Sequence, residues 1–210
     1  NMRQWLLIAG CVLVTSSLFA QAKDWAQFGR YAEANKTVKV PSKVVFMGNS
    51  ITDGWWPNDS TFFINNQYVD RGISGQTTSE MLVRFRADVI NLKPKAVVIL
   101  AGTNDIAQNN GYISLENAFG NIVSMVELAK ANNIKPILCS VMPAYEFGWR
   151  KGLEPAGKII KLNAMIKAYA DKNKIIYVDY HSALADERGG LPEKYSKDGV
   201  HPTLEAYKIM

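Results

Sequence analysis

Apolar positions along this chain follow two rhythms. Short runs that suit a strand buried on both faces recur at 43–47, 68–71, 96–101, 136–141 and 175–179. Between them the apolar residues return every three or four positions. In 78–92 this spacing puts Met81, Leu82, Phe85, Val89 and Leu92 on one side of a helix. Ser114 offers a cap to a second helix carrying Leu115, Phe119, Ile122, Met125 and Leu128, and a third is expected over 159–170. Parallel strands need long crossovers, and right-handed crossovers lay helices against the sheet. Strand and helix in alternation therefore predict an α/β fold of three layers, a parallel sheet covered on both faces.

Composition narrows this picture. At 210 residues and 48% hydrophobic, the chain has enough apolar surface for one sizeable core. There is no internal repeat, low-complexity tract or linker to divide it, so 23–210 is expected to form a single domain. The formal charge of +5 is spread over scattered lysines with no basic stripe, which argues against a nucleic-acid partner. No HExxH, CxxC or other clustered ligand set appears, so neither a metal nor another cofactor is expected.

The first 22 residues have a different character. Arg3 precedes the apolar stretch 5–20, and Ala20-Gln21-Ala22 has the small-x-small form of a signal peptidase site. About 16 apolar residues, interrupted by Thr15, Ser16 and Ser17, fall short of the ~20 that span a bilayer. A cleaved signal peptide over 1–22 is expected, with export to the periplasm or beyond and no stable membrane span afterwards. Ile8-Ala9-Gly10-Cys11 also resembles a lipoprotein box, which would leave a lipid-anchored Cys11 instead, although it stands very early. Cleavage after Ala22 leaves Cys139 alone, so an intramolecular disulfide is excluded, and its setting in Ile137-Leu138-Cys139 reads as core.

In open parallel sheets, ligands bind beyond the carboxyl ends of the strands, so the loops there should carry the chemistry. Gly48-Asn49-Ser50-Ile51-Thr52-Asp53-Gly54 presents Ser50 at the end of the first strand, as a nucleophile or equally as a helix cap. The second strand ends in Arg71-Gly72-Ile73-Ser74-Gly75-Gln76-Thr77-Thr78, whose glycines free backbone N–H groups to face a ligand. A phosphate cradle would need a lysine that does not follow. In Ala101-Gly102-Thr103-Asn104-Asp105, Asn104 is either a turn residue or an amide donor to an oxyanion. Asp198-Gly199-Val200-His201-Pro202 supplies a carboxylate three residues from an imidazole, the partners a serine needs to lose its proton. The other histidine, His181, reads as structural.

Taken together, GNSITDG around Ser50, GISGQTT around Gly75, AGTND around Asn104 and DGVHP around His201 resemble the four blocks of the SGNH/GDSL hydrolases, in order and across nearly the whole mature chain. The resemblance implies a flavodoxin-like fold with five parallel strands. It also implies a catalytic triad of Ser50, His201 and Asp198, with an oxyanion hole made by the backbone N–H groups of Ser50 and Gly75 and the Asn104 side chain. One departure stands out: Asn49 occupies the place of the aspartate in Gly-Asp-Ser, which keeps shape and loses a charge. The α/β-hydrolase fold fits less well, because Thr52 replaces the second glycine of G-x-S-x-G.

The expected activity is hydrolysis of short acyl esters, acetyl esters on carbohydrates foremost. Lysophospholipid, short-chain acyl or thioester hydrolysis is the alternative, and a non-catalytic sugar-binding module the rival from another class. Trp55, Trp56, Tyr145, Phe147 and Trp149 are candidates to stack on a sugar, and equally could pack beneath the loops. The expected partner is a small ester or acetylated glycan, and nothing in the sequence sets the oligomeric state.

Overall fold

The computed structural model describes residues 23–210; the expected signal peptide over 1–22, with the expected cleavage after Ala22 and the alternative at Cys11, lies outside the described residues. A short helix α1 (Ala32–Thr37) leads to β1 (Val44–Gly48), which runs directly into α2 (Ser50–Asp53) and α3 (Trp55–Asn66). Next come β2 (Tyr68–Gly72), α4 (Thr78–Asp88), β3 (Ala96–Leu100) and α5 (Thr103–Ile106). The chain continues through α6 (Leu115–Ala131), β4 (Lys135–Cys139), α7 (Pro155–Lys172), β5 (Ile176–Val178), α8 (Tyr180–Leu184) and α9 (Leu204–Ile209).

All five strands pair in parallel, in the order β2-β1-β3-β4-β5. Successive side chains on a strand point to opposite faces, so β1 and β3 feed two separate cores. Val45, Met47, Val97 and Ile99 pack with Met81 and Phe85 of α4, Ile122 and Met125 of α6, and Ile159 and Leu162 of α7. Phe46, Val98 and Leu100 pack on the other side with Ile51, Trp55, Phe63, Tyr180 and Tyr207. Each such fully buried side chain contributes about 1.5–3 kcal/mol, and the central strands β1 and β3 are free of polar side chains because both of their faces need filling. The expected three-layer α/β fold with a five-stranded parallel sheet is what forms. Cys139 is buried in the second core, where loss of hydration pushes its thiol up to about 12.

Helix ends follow local chemistry. Thr77 and Glu80 form a reciprocal capping box at α4, and Ser114 Oγ accepts from Asn117 N at 3.1 Å at the start of α6. The helix expected over 78–92 stops at Asp88, where Val89 leaves helical geometry and a 3₁₀ turn closes Ile90–Leu92. The third expected helix extends beyond 159–170 in both directions, with Pro155 in its first turn. Helix α3, kinked at Asp59, was not legible in the periodicity, because its apolar residues are spent on a short aromatic face. No helix among the described residues is long and apolar enough to cross a membrane.

Candidate active site

The strand order places β1 between β2 and β3, so the chain leaves β1 for one side of the sheet and returns to its other side. That reversal opens a crevice at the carboxyl ends of the strands. The loops after β1, β2 and β3 carry Ser50, Gly75 and Asn104 to this end of the sheet.

Two glycines let α2 lie across the strand ends. A Cβ on Gly48 would come within 2.0 Å of Thr52 Oγ1, and one on Gly72 within 2.1 Å of Asp53 N. The close approach sets Ser50 as the first residue of α2. Asn49 caps this helix: its Oδ1 accepts from Ile51 N at 3.0 Å. An aspartate could make the same bond, so the departure at this position falls on Asn49 Nδ2, a buried donor without a partner among the described residues. Ser50 N–H, at the first helical position, has no intrahelical acceptor.

His201 reaches this point from the C-terminal loop. Its Nε2 stands 2.9 Å from Ser50 Oγ, and its Nδ1 stands 2.6 Å from Asp198 Oδ2. Because the carboxylate only accepts, Nδ1 carries the proton and Nε2 is the acceptor facing the serine hydroxyl. The other carboxylate oxygen gathers His201 N at 2.8 Å, Val200 N at 3.0 Å and Ser196 Oγ at 3.1 Å. A left-handed Gly199, at φ 79°, makes this tight turn accessible. Partial burial works to raise the Asp198 pKa, but the hydrogen bonds from the His201 backbone and ring and from Val200 outweigh it and bring it down to about 2. The three-residue spacing thus serves the loop as well as the ring, since one carboxylate both folds the turn and orients the imidazole.

Gly75 adopts φ 81°, and a Cβ there would meet nothing within 4 Å, so its conformation rather than lack of space favours glycine. Asn104 is 3% exposed. Its Nδ2 donates to Gln76 O at 2.9 Å, which leaves the second N–H hydrogen for another acceptor, while its Oδ1 accepts from Asn109 Nδ2 at 3.0 Å. The next residue, Asp105, ties β3 to α4 through Thr78 N at 3.0 Å and Thr78 Oγ1 at 2.5 Å. Burial pushes Asp105 up to about 6 against the pull of those bonds.

Beneath the crevice lies Arg84, wholly buried. Its guanidinium donates to Gln76 Oε1 at 2.5 Å, Asp88 Oδ2 at 3.0 Å, Gly48 O at 3.1 Å and Arg71 O at 2.9 Å. Sequence reasoning passed over Arg84, Gln76 and Asn109. Arg84 sits on the apolar face of an amphipathic helix, where a charge looks like a pattern error, and Asn109 sits in an Asn-Asn-Gly turn. A buried-face arginine is the one signal that marks a network of this kind.

The five aromatic candidates separate. Trp55 and Phe147 are 2% and 0% exposed and present no face to a ligand. Trp55 stacks between Phe62 at 4.7 Å and Tyr207 at 5.3 Å, so both residues are corrected to core. Trp56 is half-exposed on a groove with Tyr31, Asp53 and Asp70 along the β2 edge. Tyr145 is exposed under the Arg188 guanidinium, 4.9 Å from its ring. Trp149 alone stands by the reacting groups, its ring centroid 6.5 Å from that of His201. His181 lies at the opposite edge, following β5, its pKa lowered by burial against the opposing charge of Asp179. Among the described residues, no three His, Cys, Asp or Glu side chains gather as a metal site.

The sequence profile of the GDSL-like lipase/acylhydrolase family matches residues 46–209. A crystal structure of a GDSL-like lipase from Bacteroides thetaiotaomicron is 53% identical, with a TM-score of 0.84, and the match covers 88% of this chain and 93% of that one. An acetylxylan esterase from Geobacillus stearothermophilus is 26% identical over 155 residues, 68% of this chain and 67% of the relative. An uncharacterized lipoprotein of Bacillus subtilis, YqeF, is 36% identical over 85 residues, 39% of this chain, which spans 35% of the length of that relative.

Proposed function

Since this chain belongs to the GDSL-like lipase/acylhydrolase family, we propose that it is a serine esterase that removes short acyl groups, acetyl foremost, from carbohydrates. The observation that carries the reading is the unbroken relay from Ser50 Oγ through His201 to Asp198, at 2.9 and 2.6 Å. In the ground state the imidazole is already in the tautomer that accepts a proton from serine. His201 Nε2 takes that proton as Ser50 Oγ attacks the ester carbonyl, and Asp198 stabilises the imidazolium. The negative charge on the carbonyl oxygen falls to the Ser50 and Gly75 N–H groups and to Asn104 Nδ2. His201 then protonates the departing alcohol, and a water activated by the same nitrogen releases the acid.

The carbohydrate part of the proposal draws on Trp149. Its ring is half-exposed, stacks on Phe147 at 5.0 Å and is pinned by a 2.9 Å bond from Nε1 to Asn109 Oδ1. A flat, immobilised indole beside the base offers a platform to the apolar face of a sugar. The acetylxylan esterase among the relatives supports the same substrate class. We also place the enzyme outside the cytoplasm, on the strength of the leader at 1–22 and the lipoprotein relative; mass spectrometry of the mature N-terminus distinguishes cleavage after Ala22 from lipidation at Cys11.

The test is hydrolysis of p-nitrophenyl acetate, butyrate and octanoate, and acetate release from acetylated xylo-oligosaccharides, by the enzyme and its Ser50→Ala variant. Serine-dependent turnover that favours acetate and extends to the oligosaccharide is expected. Faster turnover of octanoate, with the oligosaccharide untouched, would refute the substrate assignment. Turnover that survives in Ser50→Ala would refute the mechanism.

A further inference from the structure

The acyl-transfer steps leave unused a line of side-chain hydrogen bonds that runs from the rim of the crevice to its floor. Trp149 Nε1 donates to Asn109 Oδ1 at 2.9 Å, and Asn109 Nδ2 donates to Asn104 Oδ1 at 3.0 Å and, more distantly, to Gly75 O at 3.5 Å. Asn109 is itself held by its backbone, since its N–H donates to Asn104 O at 3.0 Å. The preceding residue, Gln108, is left-handed at φ 54° and accepts from Arg150 Nη1 at 2.7 Å through its carbonyl.

An asparagine amide has nearly the same shape either way round, so its partners decide which end faces where. At Asn104 the Gln76 carbonyl takes only a donor, and Asn109 Nδ2 gives only to an acceptor. Turned by 180°, the amide would set N–H against N–H on one side and C=O against C=O on the other. We infer that Asn109 is a positioning residue of this esterase, holding the Asn104 amide with its N–H available to the forming oxyanion and tying it through Trp149 to the rim where the alcohol part of the substrate rests. The inference rests on the serine-esterase reading above. An Asn109 that served only as a turn residue would be replaced without loss by its isostere aspartate. A positioning role forbids aspartate, which cannot donate to Asn104 Oδ1 and rewards the wrong orientation of the amide.

Asn109→Asp, Asn109→Ala and Asn104→Ala, singly and with the double change Asn104→Ala/Asn109→Asp, are compared for p-nitrophenyl acetate turnover. Removing an oxyanion donor costs about 10²–10³-fold in kcat, which bounds the effect. Asn109→Asp is expected to approach it at about 10²-fold, and Asn109→Ala to lose about tenfold, with KM nearly unchanged in both. Affinity for a boronic acid, whose serine adduct is tetrahedral, should fall in step with kcat. In the Asn104→Ala background, Asn109→Asp should change kcat less than about twofold, because the donor it positions is gone. A folded Asn109→Asp variant at the parent rate, or one with the same cost in both backgrounds, overturns the inference while a dead Ser50→Ala control leaves the esterase reading standing. Turnover that survives Ser50→Ala overturns both.

Discussion

Replacement of Arg84 by methionine should cost this protein much of its stability, and the size of the loss follows from where the guanidinium sits. The Arg84 and Asp88 side chains are 0% and 1% exposed, and their ion pair is 3.0 Å long. Arg84→Met leaves Asp88 buried with Asn35 Nδ2, at 2.8 Å, as its remaining partner. It also strips a donor from the carbonyls of Gly48 and Arg71 and from Gln76 Oε1. Breaking a buried pair by removing one partner costs about 3–5 kcal/mol, and the lost backbone bonds belong inside that range rather than on top of it. For a domain of this size, 1 kcal/mol moves Tm by about 2–4 °C, so a fall of roughly 6–20 °C is expected. Thermal and urea melts measure it, with the urea slope unchanged if only stability has moved. Gly48 and Gln76 flank Ser50 and Gly75 in the chain, so kcat of the folded variant at 25 °C should fall as well. Removing the stranded charge, in Arg84→Met/Asp88→Leu, should recover part of the loss. A single variant within about 1 kcal/mol of the parent would refute the reasoning, because the charge would then be serving neither the core nor the loops it joins.

Further outcomes can be checked alongside. Ser50→Ala should lower kcat by about 10⁴-fold or more, and Asn104→Ala by about 10²–10³-fold, in steady-state ester hydrolysis. Burial pushes Asp70 up to about 7, with the Gly72 N–H bond working the other way, while an unfolded aspartate titrates near 3.9. Its favourable contribution is therefore fully present below about pH 4 and is lost as pH rises through about 7. Asp70→Asn keeps the acceptor for Gly72 N and should flatten that decline, so urea melts should find the variant more stable than the parent at pH 8 by a few kcal/mol, at about 1.4 kcal/mol per unit, and little different at pH 4. Asp105, pushed up to about 6, adds its own decline over the lower part of this window in both proteins. Trp149→Ala should raise KM for acetylated xylo-oligosaccharide about tenfold more than KM for p-nitrophenyl acetate, the loss of roughly one stacking contact.

Much of this molecule was legible as a string. The strand runs at 44–47 and 96–101 are apolar throughout because both faces of a parallel sheet are covered, and that requirement acts on every residue in sequence order. Gly48 and Gly72 can be read as the residues that end the first two strands, and Asp198 and His201 as partners, because a short loop confines that pair to each other's reach. What the string leaves open is every contact between distant segments. Ser50 meets His201 across 151 positions, and neither residue carries a local mark of that distance. Trp55, Trp56, Phe147 and Trp149 all read as loop aromatics in the sequence, yet the kinked α3 and the loop after β4 bury the first and third and expose the second and fourth. Arg84 reads as a defect on the apolar face of α4 until packing brings it against Gln76, Asp88 and two strand carbonyls. Periodicity reports which face of an element is buried, whereas the partner that satisfies a buried polar group is fixed only when the elements meet, because a hydrogen bond depends on distance and direction in space.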